Sequence, residues 1–260
     1  MVDHPTYEAL RALKLDAMAE TFAELFAQSR SRKLDPVDWV TQMVERESNQ
    51  RNARRAKARL RAAKLRDETA CMEDVDYSTV RRLDRAAFQA LADGGWIDSY
   101  RSVLITGPCG VGKSYLACAL GHEACRQGRA VLYFRMPQLF SDLDAARNDG
   151  GFEKLFRKIV RADVLILDDW GPDIMTGCQR RDLMEIVDAR YSRKATIITS
   201  QLPVDKWYDI IGDPTLADAI LDRLVHKSHR IALDGPSMRK QPPSVPSLFN
   251  KPSFSRLLRN

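Results

Sequence analysis

The stretch LITGPCGVGKSYLACAL, Leu104 to Leu120, constrains the fold of this chain more than any other. A short apolar run enters a loop with glycines at 107, 110 and 112, and a helical pattern begins at once at Lys113 and Ser114. These residues fit G-x-x-x-x-G-K-[S/T], which average residue usage yields by chance in roughly one chain in a hundred of this length. A strand that runs straight into a helix belongs to a parallel sheet, whose strands need crossover connections and are buried on both faces. Further apolar runs fall at Val103–Thr106, Ala130–Phe134, Val164–Asp168, Ala195–Ser200 and Arg230–Leu233. They alternate with helical patterns near 113–126, 137–147, 152–160, 179–191 and 215–226. The alternation predicts an α/β fold with a five-stranded parallel sheet covered by helices on both faces.

The flanks differ from this core. Residues 1–66 read as a small all-helical domain. Leu10, Leu13, Met18, Phe22, Leu25 and Phe26 recur at helical spacing, and Asp35-Pro36 is a cap and first turn for a second helix. An acidic linker, DETACMEDVD, follows at 67–76, and the core is expected over 67–235. Residues 236–260, with five prolines and no sustained period, read as a flexible tail whose end, FSRLLRN, is a candidate docking segment. The start has neither a basic nor an apolar leader region, and no apolar run is long enough to span a bilayer. The five cysteines form no CxxC pair, which argues against zinc and for reduced thiols in the cytoplasm.

The glycine loop has the chemistry of a phosphate cradle. Gly107, Gly110 and Gly112 let backbone N–H groups approach an anion, with Pro108, Cys109, Val111 and Tyr115 beside them. The helix opening at Lys113 adds its orphan N–H groups and positive dipole end. Lys113 is expected on the β and γ phosphates of ATP, and Ser114 on Mg²⁺. In VLILDDWG an apolar strand ends in Asp168 and Asp169. Asp168 is the candidate Mg²⁺ holder, and Asp169 the candidate base that polarises an attacking water. TIITSQLP is a further strand ending in polar groups, and Thr199, Ser200 or Gln201 would lie beside the γ-phosphate.

The net charge of +6 is concentrated in RNARRAKARLRAAKLR, Arg51 to Arg66, which has no acid. Arg51, Arg54, Arg55, Lys57, Arg59 and Arg61 are candidates for DNA phosphates, with Arg66 continuing the stripe. No base-reading helix is evident, so binding to duplex DNA is expected to be largely sequence-nonspecific.

Taken in order, the P-loop, LILDDWG, TIITSQLP and GDPTLADAILDRL resemble the AAA+ ATPases. With LRALKLDAMAETF and the basic run ahead of the core, the match is closest to the IstB family, the ATPase helpers of two-gene insertion-sequence transposons. It extends to the related DnaC-type helicase loaders. The resemblance implies an AAA+ core without a C-terminal lid and ATP-dependent homo-oligomers on duplex DNA. It also implies a cognate transposase as partner, and Arg223 acting as an arginine finger in a neighbouring subunit's site. The alternative it leaves open is a replicative helicase loader that prefers single strands. The family usually has Asp-Glu where this chain has Asp168-Asp169, one methylene shorter, which implies slow hydrolysis. A P-loop kinase of a small metabolite would need a substrate lid, and the sequence offers none.

Overall fold

The computed structural model describes residues 4–28, 35–78 and 81–238. The proline-rich stretch beyond 238, with FSRLLRN, lies outside the described residues. Three helices come first: α1 (Pro5–Ala12), α2 (Asp16–Gln28) and α3 (Pro36–Ala63). Two short helices, α4 (Arg85–Ala92) and α5 (Gly95–Asp98), precede the sheet. The chain then runs β1 (Val103–Thr106), α6 (Lys113–Arg126), β2 (Val131–Arg135), α7 (Met136–Asn148), α8 (Phe152–Arg161) and β3 (Val164–Trp170). It closes with α9 (Gly177–Arg190), β4 (Ala195–Ser200), α10 (Trp207–Ile211), α11 (Pro214–Val225) and β5 (His229–Ala232).

The five strands form one parallel sheet in the order β2-β3-β4-β1-β5. Strand periodicity divides the core into two layers. Val103, Ile105, Ile166 and Ile197 face α6, with Leu116 and Leu120, and α4, with Phe88. Leu104, Leu165, Leu167 and Ile198 face the other way, onto Leu139 and Leu143 of α7, Leu183 of α9 and Ile220 of α11. This is the α/β architecture that the alternation of apolar runs predicts. No helical lid follows β5 among the described residues.

Three features were not read from the sequence. First, the second helix continues through the basic run as one helix, α3, of 28 residues, roughly 42 Å long. Asp35 caps it by accepting from the Val37 N–H, and Lys64 ends it in the left-handed region at φ +54°. Its first half buries Met43 and Glu47 against α2, and its end buries Ala63 in the layer that includes α6. Second, residues 67–76 lie against the core, with Ala70 and Val75 buried. Third, α10 packs beside the sheet through Trp207, whose ring centre lies 4.8 Å from that of Trp170. Helices as short as α4, α5 and α10 offer too few turns for a period to show.

Candidate nucleotide site

The glycine loop leaves the carboxyl end of β1, where a parallel sheet gathers its ligand-binding loops. Gly107, Gly110 and Gly112 have φ of +147°, +85° and +93°, a region open to glycine and strained for other residues. The Gly107 N–H donates to the Ser200 carbonyl at 3.2 Å, tying the loop to β4. Gly112 caps α6 without a side-chain acceptor, so the first N–H groups of the helix face the loop's hollow. Val111 is buried beneath the loop, and Cys109 is exposed on it. Lys113 is buried, and its Nζ donates to the carbonyls of Gly107 and Pro108, each at 2.7 Å.

Asp168 is the hub. Its side chain has no exposed surface, yet three hydroxyls converge on it. Ser114 Oγ donates to Oδ1 at 2.8 Å, Thr199 Oγ1 donates to the same oxygen, and the Tyr133 phenol donates to Oδ2 at 2.5 Å. Burial and the bond to Asp168 push the Tyr133 phenol well above its ordinary pKa, so it stays a donor. Arg66 Nη1 is a fourth partner, 3.5 Å from Oδ2. A carboxylate and a serine hydroxyl side by side are the all-oxygen donor set that suits a hard cation such as Mg²⁺.

Asp169 owes its place to a break in the ladder. The β3–β4 register shifts between Leu167 and Trp170, and Asp169 sits at φ +60°. The irregularity sends the two successive acids to different neighbours. Asp169 pairs with Arg135 of β2, at 2.9 Å to Nε and 2.8 Å to Nη2, and its N–H donates to Thr199 Oγ1 at 3.2 Å. Of the three polar groups at the end of β4, Thr199 therefore contacts both acids. Ser200 instead donates to the Trp170 carbonyl and accepts from the Leu202 N–H, while Gln201 lines the cavity.

That cavity measures about 620 Å³ and is lined by Arg66, Arg81, Cys109, Lys113, Ser114, Tyr115, Asp169 and Gln201, among others. Arg81 is buried and donates to the carbonyls of Asp76 and Val111, each at 2.7 Å, so it pins the 67–76 segment to the loop. The Tyr115 phenol reaches the same segment at the Cys71 carbonyl. After β5 the chain runs along the loop. A Cβ on Gly107 would lie 2.4 Å from the Leu233 carbonyl oxygen, and the Met238 N–H donates to the Gly110 carbonyl at 3.0 Å. A cavity of about 640 Å³ between α3, β2 and α8 has an aliphatic floor and a rim of Arg and Lys. No acid or nucleophile lines it, and it lies apart from this chemistry.

The remaining expected residues are elsewhere. Arg223 is in the last turn of α11, near the amino ends of the strands. It donates to Asp188 Oδ1 from Nε at 3.0 Å and Nη2 at 2.9 Å, and to the Ala219 carbonyl. Within one chain it and Lys113 are at opposite ends of the sheet. On α3, Arg54, Arg55, Lys57 and Arg61 are exposed and have no acidic partner among the described residues. Arg51 pairs with the buried Glu47 at 2.7 Å, and Arg59 is half-buried beside Gly128. Arg66 does not continue their stripe, because it lies beyond the helix end and turns to Asp168. Arg66, Arg81, Tyr133 and Arg135 are site residues that sequence reasoning missed. Tyr133 and Arg135 carried a signal, polar groups closing an apolar strand beside the Asp168 strand; Arg66 was hidden in the basic run.

A family model of IstB-like ATP-binding proteins matches residues 8–245. The chain belongs to this family. A Sinorhizobium fredii protein named for an insertion sequence and for ATP binding is 52% identical over 240 residues, 92% of this chain and 98% of that one. A Pseudomonas fluorescens protein of the insertion sequence IS1162, also named for ATP binding, is 40% identical and covers 78% of this chain and 88% of its own length. Among solved structures, DnaI superposes with a TM-score of 0.55 at 22% identity, over 64% of this chain and 91% of its own. AMPPCP-bound DnaA from Aquifex aeolicus gives 0.55 at 18%, over 65% and 51%. These likenesses give the fold alone: the core of this IstB-like protein shares the fold of the DnaI and DnaA cores. No helix among the described residues is long and apolar enough to cross a membrane.

Proposed function

We propose that this IstB-like protein is a Mg²⁺-dependent ATPase that assembles on duplex DNA and presents it to the transposase of its insertion sequence. The observation that carries the reading is the buried Asp168, held by Ser114 and Thr199 beside the Lys113 loop. Lys113 exchanges the Gly107 and Pro108 carbonyls for the β and γ phosphates of ATP. Ser114 and Asp168 would hold Mg²⁺, which would neutralise phosphate charge when bound. Asp169 orients the attacking water from its bulge, and Thr199, touching both acids, reports whether the terminal phosphate is present. Arg223 supplies charge to the site of a neighbouring subunit, since its own site lies at the other end of the sheet. The exposed Arg54, Arg55, Lys57 and Arg61 follow DNA phosphates without reading bases. The partner reading comes from the insertion-sequence relatives.

Negative-stain imaging with ATP, with and without duplex DNA, tests the assembly. The expected result is ordered oligomers that need both ATP and duplex. Monomers under all conditions would overturn it. Assembly on single strands in preference to duplex would favour a helicase loader.

A further inference from the structure

The site holds a cation that no motif announces. Arg66 lies three residues beyond the end of α3, and its side chain is 43% exposed toward the cavity that holds Lys113 and Ser114. Its backbone has little freedom: Ala63 and Leu65 on either side of the left-handed Lys64 are buried in the layer under β1 and α6. The other cations of the cavity are engaged with backbone carbonyls, Lys113 with the loop and Arg81 with Asp76 and Val111. Arg66 instead faces Asp168, the carboxylate that the reading above gives to Mg²⁺, and at 3.5 Å it is the longest of that carboxylate's contacts.

We propose that Arg66 is a nucleotide-positioning residue that leaves Asp168 for the terminal phosphate of ATP and so distinguishes ATP from ADP. Charge drives the exchange. With Asp168 committed to a dication, Arg66 would lose its carboxylate partner and be repelled from that position. The terminal phosphate is the nearest new anion, and a guanidinium binds phosphate through a charge-assisted, forked contact. ADP lacks that group. Because Arg66 follows directly from α3, the same exchange acts on the end of the helix that carries Arg54, Arg55, Lys57 and Arg61. Coupling of this kind is reciprocal, so DNA on α3 would favour ATP over ADP as ATP favours DNA.

The test rests on the nucleotide reading and separates itself from it. Displacement of a fluorescent nucleotide by ATP and by ADP, both with Mg²⁺, is measured on the full chain, on Arg66→Ala, on Arg66→Lys and on Lys113→Ala. In Arg66→Ala the ATP affinity should fall about tenfold, the typical effect of losing one charge-assisted contact. Its ADP affinity should hold within about twofold, and its melting temperature without nucleotide should fall, because Asp168 loses its cationic partner, so a loss of ATP affinity that spares ADP is read apart from that general destabilisation. Arg66→Lys should recover part of the loss, and ATP should no longer strengthen duplex binding more than ADP does in Arg66→Ala. Equal losses for ATP and ADP, or no loss for either, would overturn the proposal. If instead the wild type binds neither nucleotide, or Lys113→Ala binds ATP as well as wild type, the nucleotide reading itself fails and this proposal falls with it.

Discussion

The two ends of the parallel sheet are opposite in chemistry. At the carboxyl ends, a glycine loop, two acids and three hydroxyls converge, and Asp168 is fully buried among them. At the amino ends, Arg101, Lys194, Arg223 and Lys227 line one hollow, and Arg223 is paired with the exposed Asp188. The carboxyl end is built to be rigid, since a buried carboxylate is tolerable only when its oxygens are bonded. The amino end is built to let go. Asp188 is exposed, and an ion pair to an exposed carboxylate contributes at most about 1 kcal/mol, so a competing phosphate can replace it on Arg223, which also bonds the Ala219 carbonyl. One subunit thus carries the glycine loop and both acids at one end and a cation paired to an exposed acid at the other. That layout is the reason for proposing that hydrolysis is finished between subunits.

The largest expected effect breaks this division. Arg223→Ala should lower ATP hydrolysis by roughly 10³–10⁵ fold, the range for losing an arginine finger, while ATP binding by the isolated subunit persists. Mixing it with Asp169→Asn protein should restore part of the activity, because some interfaces carry both intact groups. Full activity in Arg223→Ala would return Arg223 to a surface ion pair. Mixtures no more active than their parts would confine the reaction to one subunit.

Next in size is Lys113→Ala, at the rigid end. Loss of a charged contact to phosphate should weaken ATP binding by roughly 10–100 fold in a titration. Unchanged affinity would remove the glycine loop from the nucleotide site.

The sheet, its loop and the two acids were legible because each rests on local signals. Buried parallel strands are short and wholly apolar, and the P-loop is fixed by spacing. The amphipathic helices that cover the sheet repeat on one face. What was not legible depends on distant contacts. The continuity of α3 is set by what each half packs on, first α2 and then α6. Arg51 and Arg66 bracket one basic run, yet the fold gives Arg51 to Glu47 and Arg66 to Asp168. A run of like charges shows where cations are, and only the fold shows which are already committed.

The same contrast orders the cations of α3. Neutralising Arg54, Arg55 and Arg61 together should reduce the slope of log affinity for duplex against log salt by about one unit for each lost phosphate contact. Arg51→Gln should leave the slope unchanged and lower the melting temperature, because Glu47 accepts from the Ala17 and Met18 N–H groups as well as from Arg51. A salt slope that follows Arg51 but not the exposed three would move the DNA surface off this part of α3.

The smallest effect concerns the length of one side chain at the rigid end. Asp169 stands at φ +60° and is paired with Arg135, so its carboxylate is held toward β2. Glutamate there would carry the carboxylate one methylene further into the cavity, nearer to where a terminal phosphate and its attacking water would meet. Aspartate tolerates the left-handed region better than glutamate does, so the exchange should cost some stability, below about 1 kcal/mol. Asp169→Glu is therefore expected to hydrolyse ATP severalfold faster and to melt slightly lower. It should also leave DNA sooner if the ATP-bound oligomer is the gripping form. Arg135→Gln gives an independent check, because it frees Asp169 without lengthening it. If reach limits the reaction, Asp169→Glu should accelerate hydrolysis more than Arg135→Gln does. If the ion pair limits it, the order reverses. A slower Asp169→Glu enzyme would show that the left-handed bulge, and not the reach of the side chain, sets the position of the water.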